Sequence, residues 1–429
     1  MRPDTDPNSA SSLPASREAL SGKSLLIFDD NLRRLEDHPY EYARAVTEMH
    51  LALGVKVTII CHRNLEDAER FRHLGAELLP IIDRAIWSGE YRGRGLRGEI
   101  SAVLQQNLHF AKLLRTHLRN RHYDLVLVPN SILHDAFVWC LLRLGGSMRR
   151  IARLAPVLRY HVGIYHGAPN QTLKAWAWRW AFACQRRAVA RHRVTYFADS
   201  EQLADYYTPI AAFRPQVLPS PRIMPAPRAR TSGRRAVVFG SLGNARYDKG
   251  SDVFHDAIKL LLTEGRAEGM AFVFQWNRDL DLPRGALYPR DPVLLDSDQV
   301  RFIEQPLSSE DYDETFAEID CFVLPYRRER YAASTSGICV EAACAGKPVI
   351  VTSNTWLSAF MIEQGAGIAV DEASPSELAD AMVEMAARFE QFEDEARTAS
   401  PRARAGNSAD QFVRLLWGIE GAAAQTVQP

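Results

Sequence analysis

A chain of 429 residues with 46% hydrophobic and 24% charged positions is long enough for two globular domains, each with its own core. Its 52 basic and 52 acidic side chains cancel, which excludes a generally basic nucleic-acid binder, but they are unevenly placed: residues 1–230 hold 33 basic and 21 acidic groups, residues 231–429 hold 19 and 31. The six cysteines stand singly in apolar surroundings without metal-ligand spacing, which excludes a disulfide scaffold and fits a reducing, cytoplasmic setting.

Residues 1–22 are rich in Ser, Pro, Asp and Ala and lack the apolar core of a signal peptide, so they read as a disordered tail. Ser24–Phe28 reads as a strand. A helix follows with Tyr42, Val46, Met49 and Leu53 on one face, then Gly54 as its stop and a strand over Val55–Ile60. Further strands are expected at Asp124–Val128, Arg153–Tyr160 and Val194–Ala198. The apolar run Leu125–Leu144 is broken by Pro129, Asn130, His134, Asp135 and Arg143 and cannot span a membrane. Trp176-Ala177-Trp178-Arg179-Trp180-Ala181-Phe182, followed by Arg186, Arg187, Arg191 and Arg193, is aromatic and basic; it reads either as core packing or as a membrane interface. Prolines at 209, 215, 219, 221, 225 and 227 deny continuous helix and mark a linker.

A second series of alternating elements begins at Ala236–Phe239 and continues through a helix at Ser251–Leu262 and strands at Ala271–Gln275, Asp320–Leu324 and Val349–Val351. A charged helix follows around Ser376–Glu395, then a short amphipathic one at Ser408–Trp417. The class is α/β. The expected division is a Rossmann-like domain over 23–215, a linker over 216–235, a second Rossmann-like domain over 236–400 and a closing helix over 401–420.

Two stretches carry chemistry. In Ser334–Val351, hydroxyl residues cap a helix of small residues that Gly346 ends before a buried strand. The start of that helix at Ser336, Gly337 and Ile338 offers backbone N–H groups and a positive dipole end, which suit a diphosphate. Glu341 is the one charge in an otherwise apolar helix; it suits ribose hydroxyls, with a salt bridge to an arginine as the structural alternative. In Phe239–Gly250, Gly240 and Gly243 make a tight turn, and Arg246 and Lys249 bring two positive charges to the same anion. By themselves those two would read as solvated loop charges.

In this order, roughly 90 residues apart, the two stretches resemble the C-terminal domain of the family-four glycosyltransferases. The resemblance runs through Phe302–Leu307, where Pro306 and Leu307 resemble the base-contacting segment, and Asp320–Tyr326, and covers about Ala236–Val370. It implies the GT-B architecture, two Rossmann-like domains facing across a cleft, and retaining transfer. The N-terminal half matches in layout only: His38 and Tyr40 fall in the acceptor loop, and His161, preferred over His166, falls where a histidine contacts the donor sugar. The family's acid–x7–acid pattern is broken, because the place eight residues before Glu341 is Ala333.

The implied activity is transfer from a UDP- or GDP-linked sugar to an acceptor hydroxyl in cell-surface polysaccharide or glycolipid assembly. It needs no metal and no bound cofactor; Arg246, Lys249 and the helix start hold the leaving phosphate. The partners implied are the nucleotide sugar and a saccharide or lipid-linked acceptor; the basic half, from its charge alone, reads either as ordinary solvated surface or as a peripheral contact on the inner face of the plasma membrane. Ala333 keeps open an inactive subunit that binds a partner or nucleotide, and the fold keeps open a sugar-nucleotide epimerase.

Overall fold

A computed structural model describes residues 13–34, 38–84, 95–162, 173–221, 236–276, 280–283 and 285–419. They fall into two units, one drawn from Met1–Arg222 and Ser408–Pro429, the other from Ile223–Asn407.

The first unit holds seven parallel strands: β1 (Ser24–Phe28), β2 (Lys56–His62), β3 (Glu77–Ile82), β4 (Tyr123–Val128), β5 (Ile151–Leu158), β6 (Phe197–Ala198) and β7 (Gln216–Val217), in the order β3-β2-β1-β4-β5-β6-β7. Ile27 pairs with Ile59 on one side and Leu127 on the other, so β1 is interior and both its faces must be covered. Leu25, Ile27, Leu125 and Leu127 enter one core, and Phe28 meets Phe110 and Trp139 edge to face on the opposite side.

The second unit holds β8 (Val237–Ser241), β9 (Met270–Gln275), the small antiparallel pair β10 (Leu280–Asp281) and β11 (Leu287–Tyr288), β12 (Val300–Ile303), β13 (Cys321–Leu324), β14 (Val349–Thr352) and β15 (Gly367–Val370). Its main sheet runs β12-β9-β8-β13-β14-β15, parallel throughout. Alternate residues divide between two cores: Phe239, Cys321, Val323 and Ile350 on one face, Val238, Phe322, Leu324 and Val351 on the other. Both units are therefore doubly wound α/β sheets of Rossmann type.

Several expectations are corrected. The strand expected at Val194–Ala198 is reduced to Phe197–Ala198, with Val194 making a lone bridge to Leu154. Pro209 lies inside the helix Glu201–Ala211, in its last turn, so the helix runs through the first of the linker prolines at the loss of one backbone hydrogen bond. The charged helix is two, Pro375–Ala387 and Phe389–Gly406, broken at Arg388. The helix Gly95–His117, unforeseen in the sequence, lays Phe110 against Phe28 of β1.

The helix Ala409–Trp417 is capped by Ser408 and puts Phe412, Val413 and Leu416 into the first unit's core. Its last residue, Trp417, donates from Nε1 to His50 Nε2 at 3.0 Å, while His50 Nδ1 lies 2.6 Å from the Val46 carbonyl. Nε2 accepts, so Nδ1 carries the proton and the ring is neutral. Burial holds His50 down at about 4. A histidine depressed in the fold binds fewer protons than in the unfolded chain, so its stability contribution is full above the unfolded value and is lost as pH falls toward 4. The stability gap between wild type and His50→Leu, measured by urea unfolding, is expected to shrink by about 2 kcal/mol from pH 7 to pH 5. A gap that stays constant would show that His50 is not held neutral.

Candidate functional site

The second sheet changes winding direction between β8 and β13, whose carboxyl ends therefore open a crevice. Two segments meet at this point. The first leaves β8, turns at Gly243 with φ +82°, forms a short 3-10 turn over Tyr247–Lys249 and enters the helix Ser251–Thr263 through Gly250. The Gly243 N–H donates to Gln275 Oε1 at 2.5 Å, at the end of β9. Gly250 has φ +63°, and a Cβ there would stand 2.0 Å from the Pro325 carbonyl oxygen, so only glycine lets the two loops touch.

The second segment leaves β13 at Pro325 and reaches the helix Gly337–Ala345. Ser336 caps that helix by accepting from the Cys339 N–H at 3.4 Å. The first-turn N–H groups of a helix have no intrahelical acceptor, so the start at Gly337 and Ile338 presents backbone donors and the positive end of the helix dipole. Lys249 Nζ lies 2.5 Å from the point where a Gly243 Cβ would be, and Ile338 Cδ1 lies 3.8 Å from the same point. The missing side chain at Gly243 thus makes room for an ammonium group beside the helix start.

Arg246 donates to Asp248 Oδ2 at 2.8 Å and to the Tyr331 hydroxyl at 3.1 Å; Arg330 Nε reaches the same Asp248 oxygen at 3.1 Å. Arg327 stacks 3.8 Å over the Tyr247 ring, donates to the Tyr247 carbonyl at 3.0 Å and pairs with Asp252. Burial raises the Asp252 carboxyl against the pull of Arg327. Arg328 bonds Ser353 and Asp371. Ala333, eight residues before Glu341, is 4% exposed.

Glu341 lies one turn into the helix, 7% exposed, and accepts from the Tyr312 hydroxyl at 2.5 Å. Tyr312, Leu307 and Ile338 pack against the same apolar cluster, and Pro306 is exposed. Tyr312 and Gln275 were missed by sequence reasoning. Tyr312 sits in an acidic amphipathic helix and Gln275 ends a buried strand, and neither position carries a local signal.

The remaining expected residues belong to the first unit. His161 follows β5, half-buried, its ring tilted 4.3 Å from that of Tyr206, and burial lowers its pKa. His166 lies outside the described residues, as does the side chain of His38, whose backbone opens the helix His38–Ala52. Tyr40 is corrected: it is 1% exposed, packs edge to face on Phe71 at 5.2 Å and donates to Asp67 at 3.3 Å, so it is a core residue rather than a surface for an acceptor. Sequence reasoning also missed Arg159, which donates to the Pro129 carbonyl at 2.7 Å and lies 4.4 Å over the Tyr42 ring. Near it, burial raises Asp29 to about 6 although the Asn31 N–H and Arg159 pull the other way.

Residues 233–388 match the family model described as glycosyl transferases group 1. No curated protein matches at the sequence level. Among solved structures, the chain is similar to sucrose-phosphate synthase of Thermosynechococcus elongatus, at 13% identity over 92% of this chain and 97% of that one with a TM-score of 0.63. Anabaena HepE, solved with UDP and glucose, is similar at 13% identity over 92% and 97% with a TM-score of 0.59. A putative UDP-N-acetylglucosamine 2-epimerase of Listeria monocytogenes is similar at 13% identity over 95% and 98% with a TM-score of 0.55. At these identities the likeness is one of fold, and the fold is GT-B.

Gly250→Ala places a methyl group against the Pro325 carbonyl, whereas Gly265→Ala, with nearly the same φ of +66°, meets nothing within 4 Å. Urea unfolding is expected to show about 1 kcal/mol lost at position 265 and at least about 2 kcal/mol more at position 250. Equal losses would mean that the two loops do not touch.

Proposed function

We propose that the chain is a glycosyltransferase that moves a sugar from a nucleotide diphosphate sugar to an acceptor hydroxyl, in cell-surface polysaccharide or glycolipid assembly. The observation that carries this reading is the placement of Lys249 over the Gly243 turn and beside Ile338 at the start of the capped helix. That arrangement gives a diphosphate a fixed cation, backbone donors and a dipole end within one unit. As the bond between the sugar's anomeric carbon and the leaving oxygen breaks, negative charge grows on the phosphate that Lys249, Arg246 and the Ser336–Gly337 turn surround. Electrostatic stabilisation of this kind does the work that a metal ion does elsewhere.

Glu341, oriented by Tyr312, is the proposed acceptor of the ribose hydroxyls, with Pro306 and Leu307 beside the base. UDP is favoured over GDP, since UDP stands in the Anabaena structure of the same fold. The family resemblance of Ala236–Val370 supports retention of configuration, with the leaving phosphate taking the acceptor proton. His161 is proposed as a contact to the sugar, and the acceptor, a saccharide or a lipid-linked one, is assigned to the first unit.

Ala333 favours a second reading, a subunit that binds nucleotide or a partner without turnover. Calorimetric titration with UDP-, GDP- and ADP-sugars separates the two from a misplaced site. One donor is expected to bind in the micromolar range, with affinity reduced about tenfold or more in both Lys249→Ala and Glu341→Ala. Binding of that donor without release of sugar to any acceptor supports the inactive subunit, and isomerised donor without acceptor supports an epimerase. If no nucleotide sugar binds, the donor-site assignment falls.

A further inference from the structure

Two helices of the first unit turn large apolar side chains to solvent. In Leu173–Ala190 the buried residues are Ala175, Trp178, Ala181, Phe182 and Gln185. Trp176 and Trp180, by contrast, are 56% and 55% exposed and meet edge to face at 5.7 Å. Leu173, one turn earlier, is exposed too, and the spacing of three and four residues puts all three on the outward face. Arg187, two turns beyond Trp180, continues that face, and Arg179 and Arg186 flank it. With Lys174 this helix has four cations and no acid. The neighbouring helix Gly95–His117 exposes Leu96, Ile100, Leu104 and Leu108 at four-residue spacing. Lys174 Nζ lies 3.9 Å from Glu99, which sets the first turns of the two helices side by side.

Exposed apolar surface of this extent, rimmed by cations, marks a contact surface. The chemistry selects among occupants. Lys174 is met by Glu99, but a second copy would bring the same arginines against the first and be repelled. Anionic lipid headgroups answer the charge, and the boundary between headgroups and acyl chains is where tryptophan is most favoured. The excess of basic over acidic side chains in residues 1–230 acts in the same direction over a longer range. We propose that this face of the first unit docks on an anionic bilayer. Trp176, Trp180 and the leucines of Gly95–His117 enter the boundary, and Arg179, Arg186 and Arg187 meet lipid phosphates. No helix among the described residues is long and apolar enough to cross the bilayer, so the contact is peripheral.

The test is co-sedimentation of the full chain with vesicles of equal parts phosphatidylglycerol and phosphatidylcholine, against vesicles of phosphatidylcholine alone. Wild type is expected to pellet with the first and not the second. Partitioning should fall about tenfold or more in Trp176→Ala with Trp180→Ala, and also in Arg186→Glu with Arg187→Glu. All four side chains are exposed, so an unchanged thermal midpoint is expected to show that the variants fold. The proposal is overturned if wild type stays in the supernatant, or if folded variants partition as wild type does. It is also overturned if the surface instead drives a concentration-dependent dimer that the tryptophan variant abolishes.

Discussion

The backbone at Gly250 passes the carbonyl of Pro325 at a distance that admits no side chain. β8 and β13 are neighbours in the sheet, but their connections wind to opposite faces, and such connections ordinarily diverge. Here they are pressed together at their root. The contact lets Arg327, just past Pro325, lie on the ring and carbonyl of Tyr247 and pair with Asp252 in the next helix. With the two loops clamped, Lys249 is delivered to the vacancy above Gly243, and Ile338 to its other side. The two glycines serve different needs: at 250 the backbone of a neighbour fills the missing side chain's place, and at 243 an ammonium group does.

The cations at this edge are accordingly not equivalent. Arg327 is nearly buried against Asp252, and a pair of that kind is costly to break because either partner alone would leave an uncompensated charge. Asp248 receives both Arg246 and Arg330, so the charge Arg246 offers an incoming anion is already shared. Arg328 is turned to Ser353 and Asp371. Most of the positive charge that the sequence places near the turn holds the loops in position. On the proposed reading, Lys249, Arg246 and the helix start meet the phosphate together, from loops that the other arginines hold in place.

The α/β class was legible because short β-branched runs alternate with amphipathic segments, and because a glycine turn and a capped helix are local features encoded within a few residues. Long-range relations were not legible. Glu341 is met by Tyr312, 29 positions earlier in the chain, from a helix whose pattern gives only an acidic outer face. Tyr40, read from its place after the first strand, belongs to the core because the helix begins at His38 and turns that ring onto Phe71. Arg159 gave no sign of its partners, since Asp29 and Tyr42 come to it from the connection after β1 and Pro129 from the one after β4. The tryptophans of Leu173–Ala190 divided by helical phase: Trp178 is core, whereas Trp176 and Trp180 face out, so neither sequence reading held for the whole stretch.

The place of Ala333 separates two tasks that a paired-acid motif would couple. Groups that suit a diphosphate and a ribose, the Gly243 turn, Lys249, the Ser336 cap and Glu341, all lie within the second unit and do not depend on position 333. A carboxylate there would have to be accommodated where a small side chain is now buried, and the methyl group offers a sugar hydroxyl nothing to bond. On the proposed reading, nucleotide affinity is therefore built into one unit, while the choice of sugar falls to groups outside the motif. Sugar discrimination based on hydrogen bonds is strong because a wrong partner leaves buried polar groups unpaired. Removing one such group from the second unit weakens its own selectivity for the sugar without weakening its hold on the diphosphate.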